Sequence, residues 1–144
     1  MDSSALLVAL ILGLWPPAQD LAFREFFEPT ARELRPTPKL QSLQGRRVRL
    51  LGFMVLSEQP PLGGFFLSSH PIVATESGGG TADLPPETVF VVVPAAAGKT
   101  VPHLAQPVVV EGVLQFGSHS SDDGQVSSIR VVLDGPIPDS PIAR

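Results

Sequence analysis

Five β-type segments follow Gly45, and they restrict the fold more than any other feature of the chain. They are rich in valine and phenylalanine and lie at 46–56, 64–68, 88–93, 108–116 and 126–133. β-branched and aromatic residues favour strands, and several short strands separated by glycine and proline are typical of small barrels and sandwiches. The count of five, with a long first segment, predicts a mainly β fold: a small five-stranded OB-like barrel preceded by a short N-terminal helical segment.

The first segment has apolar residues at both odd and even positions from Leu50 onward. This pattern indicates a strand that is buried on both faces or strongly coiled around a small barrel. Gly52 lies inside the segment, where a glycine allows a bend or a bulge. Val91 and Val110 lie in the centres of later strands, and we expect both in the barrel core.

The chain divides into four parts: 1–22, 23–44, 45–135 and 136–144. The first contains an uncharged run, Ala5–Trp15, which suits the core of a signal peptide and is shorter than the roughly 20 residues of a membrane span. We expect a signal peptide or an N-terminal anchor and therefore an exported protein of the periplasm or cell envelope. The alternative is a hydrophobic helix that packs on the domain. The last part, 136–144, is a proline-rich tail.

The lead-in at 23–44 contains a phenylalanine cluster. We expect a short helix at 21–28, capped by Asp20, with Phe23, Phe26 and Phe27 on one side. The cluster could contact a partner, but large apolar residues more often lie inside, where it would plug one end of the barrel.

Charge is unevenly distributed along the chain. The net charge is −4, with +2 over residues 1–49 and −6 over residues 50–144. An acidic barrel disfavours nucleic-acid binding, because neutralising phosphates requires a basic surface. The absence of cysteine excludes disulfides, a thiolate nucleophile and cysteine-ligated metals.

Three arginines, Arg46, Arg47 and Arg49, lie at the start of the first strand. They could form an anion site, but solvated charges that keep a sheet edge from aggregating are the more common role. Together with Phe26 and Phe27 they make up the possible partner surface.

Candidate catalytic and metal-binding residues are few. The three histidines fall in loops and lack the close spacing that would make a metal site specific, so a site formed by His70, Glu76, His103 and His119 is only a weak alternative. We predict no catalytic residues and no cofactor. The longest irregular stretch, 69–87, is of a length that is often functional.

Several stretches resemble an uncharacterised family of exported bacterial proteins: 43–55, Phe65–Ser68, 82–91 and Val110–Leu114. The resemblance implies an OB-like domain in the cell envelope, sometimes associated with ABC-type transport systems, including some linked to metal supply. Many such proteins carry a cysteine pair after the second strand. Here that region reads Pro-Ile-Val-Ala-Thr-Glu at 71–76, so a role that depends on the pair does not carry over.

Two hypotheses follow. The first is a non-catalytic cell-envelope binding or accessory module. It would present the 69–87 loop or a barrel face to a protein partner, such as a transport-system component. The second is a periplasmic metal-handling protein that uses loop histidines and acids. In both, the membrane is contacted only through the N-terminal segment.

Overall fold

A computed structural model describes residues 17–30, 33–75, 84–120 and 126–135. The uncharged run at 5–15, the glycine-rich part of the long loop and the tail lie outside these ranges. The strands are β1 Gln19–Leu21, β2 Phe27–Pro29, β3 Leu34–Pro36, β4 Arg47–Met54, β5 Leu56–Ser57, β6 Gly64–Ser68, β7 Val73–Ala74, β8 Val89–Val92, β9 Val108–Ser120 and β10 Val126–Leu133. The helical elements are α1 Pro38–Ser42 and two 3₁₀ turns, Phe23–Glu25 and Pro94–Ala96.

Five of these strands close into a barrel in the order β4-β6-β8-β10-β9, and β9 pairs back to β4. The neighbouring strands are antiparallel, except that β8 and β10 run parallel. The predicted mainly β fold, a small five-stranded OB-like barrel, is therefore confirmed. No helix in the described ranges is long and apolar enough to span a membrane.

Strand β4 alternates between the core and the outer face. Val48 and Leu50 are fully buried, whereas Leu51 is 55% exposed. Of the two alternatives for this strand, burial on both faces is therefore wrong at Leu51, because nothing in the described ranges covers the outer side of β4 there. The outward-facing residues are Arg47, Arg49, Leu51 and Phe53.

Gly52 lies where β4 exchanges one neighbour for another. On one side β4 pairs with β1 through residues 48–50 and then with β6 through Phe53 and Met54. A Cβ placed on Gly52 would lie 2.7 Å from the Ser68 carbonyl oxygen and 2.9 Å from the Phe23 ring. Close packing therefore requires glycine at this position, a reason that the sequence did not indicate.

The barrel interior forms one continuous hydrophobic core. Val91 is fully buried and Val110 is 1% exposed, which confirms the prediction for both. The core also receives side chains from outside the barrel: Leu21, Phe23, Phe26, Leu40 and Leu43. The lead-in is therefore part of the packed domain.

A second, smaller apolar layer covers the outside of β6 and β8. Phe66 and Phe90 contact each other with ring centroids 5.0 Å apart, and both are buried. They pack with Val55 and Ala74, and the partly buried Ile72, Leu84 and Val92 complete this layer. The first part of the 69–87 stretch, which includes β7, thus covers one face of the barrel.

The predicted helix at 21–28 is largely wrong. Only Phe23–Glu25 is helical, as a single 3₁₀ turn between β1 and β2. Asp20 lies in β1 instead of capping a helix, because residues 19–21 pair in parallel with residues 48–50 of β4. The helix of the lead-in is α1, where Thr37 accepts a hydrogen bond from the Leu40 N–H and Pro38 occupies the first turn.

We expect Val91→Ala to destabilise the protein by about 1–3 kcal/mol, because it removes buried methyl groups and leaves a cavity. The matched control is Val73→Ala, since Val73 is 64% exposed. Urea denaturation of both variants measures the difference. An equal, small effect in the two variants would contradict the placement of Val91 in the core.

We expect Gly52→Ala to destabilise the protein by about 1–3 kcal/mol, because the new methyl group would meet β6 backbone and the Phe23 ring. Gly135→Ala is the control, since a Cβ there has no neighbour within 4 Å. Thermal unfolding compares the two. A Gly52→Ala variant as stable as the parent would show that β4 and β6 can separate without cost.

Candidate interaction surface on the outer face of β4

The N-terminal half of the β4 outer face carries an ion-pair network. Arg47 binds Asp134 through two hydrogen bonds, Nε to Oδ2 at 2.6 Å and Nη2 to Oδ1 at 3.2 Å. Its Nη2 also lies 3.5 Å from Glu111 Oε1. Arg49 Nε donates to Glu111 Oε2 at 3.1 Å, and its Nη1 donates to Asp20 Oδ1 at 3.2 Å. The network therefore joins β1, β4, β9 and the residue after β10.

These contacts favour the charged form of both arginines. The hydrogen bond that Arg47 donates to Asp134 raises the pKa of Arg47, and the hydrogen bond that Arg49 donates to Glu111 raises the pKa of Arg49. Two guanidinium groups face three carboxylates, so this part of the surface offers no excess positive charge to an anion. The predicted edge role is also wrong for Arg47 and Arg49, because β4 is an interior strand and β1 is the edge.

Arg46 differs from its two neighbours. It is exposed and makes no ion pair with any residue in the described ranges. Of the three arginines at the start of β4, it is the one whose charge stays available on the surface.

The C-terminal half of the β4 outer face is apolar. Leu51 and the half-buried Phe53 lie beside Pro107 and the 3₁₀ turn, and they line a groove of about 400 Å³. We call this recess the Leu51 groove. Its lining residues are Leu21, Ala22, Phe23, Arg24, Leu51, Gly52, Phe53, Ser69 and Pro107.

A positive charge lies at the rim of the Leu51 groove. Arg24 lines it and also lines an adjoining recess of about 400 Å³ that continues over Val109 and Lys39. Arg24 is exposed and has no ion pair among the residues described. Lys39, by contrast, is paired with Glu25, Nζ to Oε2 at 2.8 Å. The groove thus combines an apolar floor with the exposed guanidinium group of Arg24, whose charge acts on the nearby Glu25 without forming an ion pair.

The phenylalanines of the lead-in pack mainly into the core. Phe26 is fully buried, so its assignment as a partner-contacting residue is wrong. Phe27 is half-buried and packs against the core. Phe23 and Phe26 have ring centroids 5.1 Å apart, consistent with a plug that closes one end of the barrel.

The predicted metal ligands are not assembled by the described part of the chain, which contains no group of three or more potential ligands. His70 is exposed, and its Nδ1 lies 3.0 Å from Ser69 Oγ. His103 Nε2 lies 3.1 Å from the Met54 carbonyl oxygen, so this nitrogen carries the proton and donates it. Glu76 and the side chain of His119 lie outside the described residues.

The sequence reasoning missed Arg24, Leu51 and Phe53. A signal for the last two was present, since positions 47, 49, 51 and 53 fall on one face of a strand with period two. Placing Arg24 beside them requires the parallel pairing of β1 with β4, which no local pattern reveals.

Glu25 gives the lead-in a pH dependence. It accepts a hydrogen bond from the Ala22 N–H at 2.9 Å and pairs with Lys39, and the Lys39 contact lowers its pKa below the ordinary 4.5. Because the pKa of Glu25 is lower in the folded state, its ionised carboxylate stabilises the fold at pH values above 4.5. This stabilisation is lost as the pH falls through the folded-state pKa. We expect Glu25→Gln to lower stability at neutral pH and the deficit to shrink on acidification.

Denaturant midpoints of the parent and the variant, measured from neutral pH down to below pH 4.5, test this expectation. The control is Glu28→Gln, because Glu28 is exposed and makes no ion pair within the described ranges. A constant deficit for Glu25→Gln at all pH values would mean that its charge makes no contribution.

Comparison with known proteins places the fold. No family model and no curated protein sequence matches the chain. The structure is similar to the crystal structure of a DUF3299 family protein from Pseudomonas aeruginosa PAO1, with a TM-score of 0.52 and 18% sequence identity. The match covers 89% of this chain and 100% of that one. This likeness shows a shared fold. As far as the fold is concerned, it agrees with the resemblance of the sequence to an uncharacterised family.

Proposed function

We propose that the protein is a non-catalytic binding or accessory module of the cell envelope, which contacts a protein partner through the Leu51 groove. The observation that carries this proposal is the 55% exposed Leu51 in a recess that also holds the available charge of Arg24. An isolated exposed leucine needs no explanation, but an apolar recess with a charged rim is a common form of binding surface.

The outer layer of the barrel supports a protein rather than a nucleic-acid partner. OB barrels that bind oligonucleotides use the face of their second and third strands, which here are β6 and β8. In this chain Phe66 and Phe90 of that face are buried beneath the layer that includes Ala74 and Ile72. Their rings are therefore not available for base stacking. The acidic charge of residues 50–144 also disfavours nucleic-acid binding.

The charge distribution also indicates what the partner offers. Arg24 is a cation on a predominantly acidic domain, and it adjoins the side chain of Leu51. A partner segment that inserts an apolar side chain and places a carboxylate nearby would complement both features. Burying the exposed part of Leu51 would contribute on the order of 1 kcal/mol.

The proposed location is the cell envelope, reached by export. The support is the uncharged run at 5–15, and the proposed partner is an envelope protein such as a component of an ABC-type transport system. The fold adds a constraint on processing. Leu21 is 3% exposed in the core and β1 begins at Gln19, so any cleavage compatible with this domain lies before Gln19.

We expect Leu51→Glu to abolish partner capture without unfolding the domain, because it puts a charge into the groove at an exposed position. Photo-crosslinking and affinity capture from the native envelope, read by mass spectrometry, measure this. Val73→Glu is the matched control, since Val73 is exposed on β7 and does not line the groove. Circular dichroism verifies the fold of each variant.

Two outcomes would contradict the proposal. Equal capture by Leu51→Glu and the parent would place the contact elsewhere on the molecule. Capture that disappears when a chelator is added, for parent and variants alike, would instead favour metal handling.

A further inference from the structure

The Leu51 groove continues into the adjoining recess over Val109, and each has a volume of about 400 Å³. The residues that line both are Leu21, Ala22, Arg24 and Leu51. We call the adjoining one the Val109 recess, and its other lining residues are Asp20, Glu25, Lys39, Arg49 and Val109. The groove and the recess together form one trough, and Arg24 and Leu51 lie where the two meet.

The trough follows the outer face of β4. Arg49 lines the Val109 recess, Leu51 lines both parts and Phe53 lines the Leu51 groove. Residues two apart on a strand are separated by about 6.6 Å, so these three positions mark a path of about 13 Å, the length of about five extended residues. A peptide laid along this path in extended conformation has its own side chains at the same spacing.

The charge of the trough is opposite in sign to that of the whole protein. Three cations and two carboxylates line the trough, which gives +1, whereas the chain carries −4. Lys39 is paired with Glu25, and Arg49 is paired with Asp20 and Glu111. The positive charges of Lys39 and Arg49 are therefore balanced by carboxylates of the protein itself.

Arg24 is the third cation, and it is exposed and forms no ion pair among the described residues. The neighbouring carboxylate of Glu25 is engaged by other donors. Its Oε2 accepts a hydrogen bond from Lys39 Nζ at 2.8 Å, and its Oε1 accepts one from the Ala22 N–H at 2.9 Å. A carboxylate from outside the protein can therefore bind Arg24 without displacing an ion pair.

Beyond Arg24, towards the end of β4, the trough becomes apolar. Among the described lining residues of the Leu51 groove, Arg24 alone is charged, and Leu51, Phe53 and Pro107 provide apolar surface. This end suits an aliphatic side chain. Because the trough extends to both sides of Arg24, a chain can pass through it, so a side-chain carboxylate fits better than the terminal carboxylate of a peptide.

We propose that the partner segment bound at the Leu51 groove is an extended peptide in which an acidic residue and a large aliphatic residue lie two positions apart. The carboxylate pairs with Arg24, the aliphatic side chain lies against Phe53 and Pro107, and the chain continues through the Val109 recess. This inference rests on the proposed function, because it names the chemistry of the partner at the same groove.

Selection from a phage-displayed library of random eight-residue peptides tests the inference. The immobilised parent protein is the target, and the Leu51→Glu variant removes peptides that bind elsewhere. We expect the enriched peptides to share an acidic and an aliphatic residue two positions apart. In fluorescence anisotropy with a synthetic copy of the strongest peptide, replacing its acidic residue by the amide should weaken binding about tenfold, because a charge-assisted hydrogen bond is lost.

Charge exchange tests the role of Arg24. The Arg24→Glu variant should bind the parent peptide weakly and prefer a copy with lysine in place of the acidic residue. Arg35→Glu is the matched control, since Arg35 is exposed and lines neither part of the trough. It should keep the preference of the parent protein. Circular dichroism verifies that both variants are folded.

The results separate this inference from the proposed function. Absence of enriched peptides, a different spacing, or equal loss of binding in Arg24→Glu and Arg35→Glu would overturn the inference. If Leu51→Glu still abolished capture of the envelope partner, the proposed function would stand and the partner would use other chemistry. Equal envelope capture by the parent and Leu51→Glu would overturn both.

Discussion

The change of partner along β4 is the constraint on which the rest of the structure depends. β4 pairs continuously with β9 through residues 47–52, while its other edge is shared by β1 and β6. Because β6 reaches only Phe53 and Met54, the open backbone of residues 48–50 is satisfied by the parallel addition of β1. β1 thereby covers this edge of β4 at residues 48–50. The lead-in is thereby fixed to the barrel, and Leu21 and Phe23 enter the core.

The same change of partner creates the Leu51 groove. β1 ends at Leu21 and the chain turns into the 3₁₀ helix. On the side of β4 opposite β9, no strand of the described residues therefore pairs with Leu51 and Gly52, and β6 begins to pair only at Phe53. The absence of a side chain at Gly52 allows Phe23 and β6 to approach closely beneath this point. An outward leucine at the junction therefore stands at the mouth of a recess. The position of the groove is a consequence of topology, and its chemistry is set by the residues at its rim.

The five strands and their core were predictable from the sequence because their signal is local. Valine-rich segments and turn residues marked them, and Val91 and Val110 proved to be buried. The outer face was less accessible to prediction because its pairs are distant in sequence: Arg47 meets Asp134 across 87 residues and Arg49 meets Glu111 across 62. Phe26 was misassigned for the same reason. Its cluster is amphipathic in isolation, but the barrel end that buries it is assembled from remote strands.

On β4 the fold restricts the inward positions, whereas the outward positions can vary with function. The fold requires alternation on β4 and a glycine at its partner change, and it leaves the identity of positions 47, 49, 51 and 53 open. In this chain the first two are neutralised by carboxylates from three other segments, whereas Leu51 beside Arg24 is left uncovered among the described residues. Among the described residues, Arg24 and Arg46 are arginines of this region that form no ion pair. A shared fold at 18% identity therefore says nothing of what binds, and the outward residues that the fold leaves open are where this chain can differ from others that share it.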